Sequence, residues 1–113
     1  MDRAVTVACV QAEPVILDRE RTLDKLEALA SDAAGKGAEL VVFPETFVPV
    51  YPSSSWAKAF AGWENPGAKE TFARIAQNSV AIGSHSERRL AACARELGIW
   101  LVTGVMSVFD IAT

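Results

Sequence analysis

The chain has 113 residues, half of them hydrophobic and 22% charged, which suits one globular domain with a real core and excludes a disordered polar chain. Its formal net charge of −3 supplies no general attraction to nucleic acid or to an anionic membrane, so neither partner is expected. No apolar run approaches the roughly 18–20 residues that cross a bilayer, and no secretory h-region follows Met1, so a cytoplasmic protein is expected.

In chain order, Ala4 to Val10 is a run of small and β-branched residues and predicts a strand buried on both faces. Glu13-Pro14 breaks it. Asp18 then has the chemistry of a helix N-cap, and Leu23, Leu26, Leu29, Ala30 and Ala33 recur at helical spacing. Gly35 and Gly37 stop that helix, and Ala38 to Phe43 reads as a second strand. Strand, crossover helix and strand in this order predict a parallel pairing. Pro44 to Ser55 reads as a long loop, with a helix starting near Trp56. Asn65-Pro66 predicts an N-cap and first helical residue for a helix running to about Gln77. Ser84-His85-Ser86-Glu87 matches a capping box, opening a helix that Gly98 ends. Ile99 to Val105 is a third buried strand, and the alternation places the chain in the α/β class.

Several residues with chemical potential read as structural. Cys9 and Cys93, the two cysteines, each sit in an apolar setting and are expected as buried, inert thiols. His85 is the one histidine and is expected in solvent, so neither a metal site nor a Ser-His triad is supported, and no cofactor is expected. Arg88 and Arg89, beside Glu87, read as a solvated helix face. Trp100, inside a strand, reads as core, and Trp56 and Trp63 fit either packing or a pocket.

Val41-Val42-Phe43-Pro44-Glu45-Thr46-Phe47 is the stretch that carries chemistry. Reactive groups in parallel α/β sheets collect just beyond the carboxyl ends of the strands, and Glu45 stands there. Pro44 ends the ladder and restricts the residue after it. Phe43, Phe47, Tyr51 and Trp56 around the glutamate suggest partly desolvated surroundings, the setting in which a carboxylate becomes a general base. The plain alternative is that Glu45 marks only where the strand meets solvent.

The segments "VACVQAEPV", "TLDKLEALASDAAGKGAELVVFPETF", "VPVYP", "NSVAIG" and "LAACARELGIWLVTGV" occur in the order found in the nitrilase branch of the carbon–nitrogen hydrolase superfamily. The chain resembles the N-terminal part of such an enzyme over nearly its whole length. The resemblance implies an α-β-β-α sandwich, of which residues 1–113 form a partial domain lacking the C-terminal portion. It also implies a Glu-Lys-Cys triad in which Glu45 is the general base. The family's lysine and cysteine lie in motifs that this sequence does not contain by Thr113, and Val50 stands where glycine is usual. Phe47, Tyr51 and Trp56 correspond to residues that shape the substrate cavity.

The expected function is therefore the N-terminal segment of a nitrilase that converts a nitrile to a carboxylic acid and ammonia. An amidase or carbamoylase of the same superfamily is the near alternative. A catalytically dead fragment acting by subunit association is the other. A small nitrile or amide is the expected partner, with a homo-oligomer as the assembly. A lone half-sandwich is expected to expose one face of its sheet.

Overall fold

The computed structural model describes residues 3–50 and 66–107. Among them are three short strands, β1 (Val7–Cys9), β2 (Leu40–Val42) and β3 (Trp100–Val102), and three helices, α1 (Arg19–Gly35), α2 (Pro66–Gln77) and α3 (His85–Leu97). The sheet order is β1-β2-β3 and both pairings are parallel, as the strand–helix–strand pattern predicts. Each strand is shorter than its apolar run, although backbone hydrogen bonds from Glu39 to Thr6, Val10 to Val42 and Phe43 to Val102 carry the pairing one residue further. The helix expected near Trp56 falls outside the described residues.

The helix ends follow from local chemistry. Asp18 caps α1, its carboxylate accepting from the Arg21 N–H, and Gly37 takes a positive φ just beyond the helix. Thr22 is fully buried without cost, because its hydroxyl both donates to and accepts from the Val15 backbone. Ser84 caps α3 by accepting from the Glu87 N–H, while Glu87 returns to the N–H of Gly83, one residue upstream of the reciprocal partner expected in a capping box. Gly98 closes α3 in the left-handed conformation, and the Ile99 N–H reaches back to the Ala94 carbonyl.

Register decides what is covered. Ala8, Val41 and Leu101 are aligned across the three strands and point to one face. There they meet Leu23, Leu26 and Ala30 of α1 and Leu90, Cys93 and Leu97 of α3 in one core. Val7, Cys9, Leu40, Val42, Trp100 and Val102 belong to the opposite face, where Leu40 and Val42 of the central strand are half-buried and the other four are exposed. This corrects three expectations. The strands are buried on one face, Cys9 is exposed, and Trp100 is 79% exposed instead of core. The cause is that α1 and α3 pack on the same side, so strand residues of opposite parity have nothing to pack against.

Two arginines tie the layer together. Arg19 donates through its backbone to the Asn78 side chain, and its guanidinium reaches the carbonyls of Gln77 and Ser79, which fixes the start of α1 against the end of α2. Arg89 is no solvated surface charge. From α3 it reaches across to Glu20, Asp24 and Glu27, which occupy one stripe of α1. Arg88 stays exposed and bonds the Gly83 carbonyl.

Candidate active site

The route from strand to site begins at Phe43. Its N–H makes the last bond from β2 to β3, to Val102, and Pro44 has no N–H with which to continue. Pairing resumes at Val48, which forms an isolated parallel bridge with Val105 and whose carbonyl accepts from Met106 at 2.8 Å. Between these two anchors the chain carries Glu45, Thr46 and Phe47. The bracketing bonds both involve Gly104, whose N–H donates to the Pro44 carbonyl at 3.2 Å and whose carbonyl accepts from Val48 at 3.5 Å. Glu45 thus sits on a short bulge at the carboxyl end of the central strand, pinned on both sides.

The bulge opens on a cavity of about 280 Å3 lined by Glu13, Pro14, Ile16, Glu45, Phe47 and Val50, among others. Phe47 is 1% exposed and serves two purposes. It walls the cavity, and its ring packs against Phe43 at 5.3 Å between centroids within the core. Val50, also buried, joins Leu17 and Ile75 in a second small cluster that backs the same region. The opposite wall comes from the segment after β1, where the Lys25 ammonium donates to the Glu13 carbonyl at 2.6 Å.

Of the residues singled out in the sequence, Glu45 and Phe47 come together here. Tyr51 and Trp56 lie outside the described residues. The expectation of partly desolvated surroundings for Glu45 is not met among the described residues, where Glu45 is exposed. Its apolar neighbours Phe43 and Phe47 turn into the core, so they support its backbone and leave its side chain in the open. Sequence reasoning missed Glu13, Pro14 and Ile16. The signal was available, since they follow β1 as Pro44 and Glu45 follow β2, and adjacent parallel strands deliver their exits to one edge.

A larger depression, about 500 Å3, lies between α1 and α3 and is bordered by Glu27, His85, Arg89, Cys93 and Glu96. Its charges are largely committed to each other through Arg89, and it lies on the helical layer, away from the strand exits. Burial pushes the Cys93 thiol up, with Glu27 and Glu96 adding to the effect and Arg89 opposing it, which leaves a protonated and unreactive sulfur. Chemistry at the Glu45 cavity is the better supported of the two. A carboxylate at a fixed backbone position beside a small, mostly apolar cavity can accept a proton from a group entering that cavity. No helix among the described residues is long and apolar enough to cross a membrane.

The carbon–nitrogen hydrolase family profile matches residues 6–109. A nitrilase from Pseudomonas syringae pv. syringae is 42% identical over 104 residues, covering 92% of this chain and 30% of the relative. An arylacetonitrilase from Hypocrea virens is 41% identical over 103 residues, covering 91% of this chain and 29% of the relative. An aliphatic nitrilase from Rhodococcus rhodochrous is 40% identical over 100 residues, covering 88% and 25% respectively. The chain spans under a third of the length of these curated relatives.

Proposed function

The chain belongs to the carbon–nitrogen hydrolase family, and from that premise we propose that it is the N-terminal segment of a nitrilase in which Glu45 is the general base. The observation that carries the reading is the place of Glu45, pinned at the exit of the central parallel strand and opening on a cavity with Phe47 and Val50. The nucleophilic cysteine and the charge-stabilising lysine belong to the remainder of the enzyme, and that remainder also supplies the second half of an α-β-β-α sandwich.

The chemistry needs such a carboxylate twice. A free thiol is only a few per cent ionised near neutrality, so a base that takes its proton raises the attacking fraction. The sulfur bonds to the nitrile carbon as one carbon–nitrogen π bond opens, and the nitrogen takes up a proton to give a thioimidate. The same carboxylate then draws a proton from water as it adds to that carbon, and ammonia leaves. A second water cleaves the carbon–sulfur bond and releases the carboxylic acid. The lysine ammonium offsets negative charge as it develops.

Glu45→Gln in the full-length protein keeps the shape and removes the base. Release of ammonia from an arylacetonitrile and from an aliphatic nitrile should fall at least about 100-fold, the scale of general-base catalysis, with the melting temperature unchanged. Activity within twofold of wild type would remove Glu45 from the mechanism. Running the corresponding amides and carbamoyl compounds beside the nitriles separates a nitrilase from an amidase or carbamoylase. The bare apolar face of the sheet supports a second reading, in which the segment serves assembly with further copies of the enzyme.

A further inference from the structure

We propose that Gly104 and Thr46 are positioning residues that aim the Glu45 carboxylate; the inference rests on Glu45 being the general base. Among the described residues no side chain bonds the Glu45 carboxylate, so what these residues contribute to its aim is the backbone that sets its Cα–Cβ direction. That backbone bows over a single residue. Gly104 bonds Pro44 on one side and Val48 on the other, and the peptide joining Glu45 to Thr46 passes directly across it.

The fit leaves no room for a side chain. A Cβ on Gly104 would stand 2.3 Å from the Thr46 nitrogen, 2.7 Å from the Glu45 Cα and 2.8 Å from the Glu45 carbonyl carbon. All three are backbone atoms that cannot swing aside. Gly37, Gly83 and Gly98 have positive φ and open space around them, whereas Gly104 has no positive φ and a crowded Cβ position. Glycine is needed at 104 for the approach of the Glu45–Thr46 peptide and not for its own conformation.

Thr46 carries the complementary sign. Its φ is +45°, a conformation that β-branched residues avoid, and its hydroxyl oxygen is buried without a partner. Both costs fall on the residue after Glu45 and are sustained by the bonds that Gly104 makes on either side. A Thr side chain at a positive φ has few neighbouring conformations to drift into, so it stiffens the peptide that carries the glutamate. Crowding from Gly104 below and restriction at Thr46 beside it together fix the Cα–Cβ direction of Glu45 toward the cavity.

The test compares Gly104→Ala, Thr46→Gly and Glu45→Gln in the full-length protein, with Gly35→Ala as the control, because a Cβ at Gly35 meets nothing within 4 Å. Gly104→Ala should lower kcat at least about tenfold with KM within about twofold, since misplacement of a catalytic group by around 1 Å costs rate before binding. Thr46→Gly relaxes the positive φ without crowding anything, so it should lower kcat by several-fold with the melting temperature equal or higher. If Gly104→Ala fails to fold, Thr46→Gly decides alone. Wild-type kcat in Thr46→Gly, or a loss shared by KM and by the Gly35→Ala control, overturns the positioning role. Glu45→Gln keeps the two questions apart. If it is inactive while Gly104→Ala and Thr46→Gly are both normal, only the positioning inference fails, and if it is active the general-base reading fails first.

Discussion

Cys93 lies in the α1–α3 interface, where burial raises its thiol pKa above the ordinary value and the charges of Glu27 and Glu96 add to the rise. A raised folded pKa means that the folded state keeps its proton where the unfolded chain gives it up. The resulting stability is whole below the unfolded thiol's pKa and is lost as pH climbs toward the folded one. Urea midpoints of the full-length protein should therefore decline from about pH 8.5 upward, and Cys93→Ala should flatten that part of the profile. An unchanged slope would show that the thiol titrates alike in the folded and unfolded states. The burial of Cys93 is legible in Ala91-Ala92-Cys93-Ala94 because the helix has one apolar face and that face has one destination. Cys9 lies in an equally apolar stretch and is exposed, because in a strand each parity needs its own cover and local sequence does not say whether both exist. Glu45 shows the same division. Its place after Pro44 is legible, while its exposure is not, because the inward turn of Phe43 and Phe47 that leaves it in the open is a matter of packing.

Helix α1 meets helix α3 through apolar packing below and a charged clasp above. The Arg89 guanidinium loses some hydration on burial, which lowers its pKa, but its bonds and attraction to Asp24 and Glu27 prevail and raise it overall. Arg89→Met retains the stem and removes the cation, leaving Glu20, Asp24 and Glu27 facing one another along one stripe. A loss of about 1 kcal/mol is expected at low ionic strength, shrinking in molar salt, with Arg89→Lys intermediate because it lacks the planar fork. Equal losses at both ionic strengths would mean that packing by the stem, not charge, is what Arg89 contributes. The ends of these helices were legible because Asp18, Ser84, Glu87 and Gly98 find their partners within five residues. The clasp was not, because the partners of Arg89 lie 62 to 69 residues away and only the packing angle of two helices brings them near.

At the scale of the molecule the parallel order β1-β2-β3 follows from the crossovers, and the bare face follows from both covering helices lying on one side. Val7, Trp100 and Val102 on that face are 48%, 79% and 51% exposed, an apolar surface that a soluble protein seldom leaves open. If the remainder of a nitrilase lays a second sheet there, Cys9 becomes the reporter. Iodoacetamide should modify Cys9 readily in the 113-residue chain and slowly in the native full-length protein, with Cys93 resistant in both. Rapid modification of Cys9 in the native full-length protein would mean that the face stays uncovered. The cavity behind Glu45 was half legible, since Pro44 to Phe47 announce themselves and the wall from Glu13 to Ile16 does not. The bulge that carries Glu45 also has a timetable. Its brace, Gly104, lies 59 residues further along the chain. At roughly 5–20 residues per second, synthesis reaches Gly104 about 3–12 seconds after Glu45. Through that interval β1, α1 and β2 can already be in hand while the glutamate has nothing to bow over. The reactive corner thus takes its shape only after β1, α1 and β2 are made, and a ribosome stalled short of Gly104 would hold paired strands without a site.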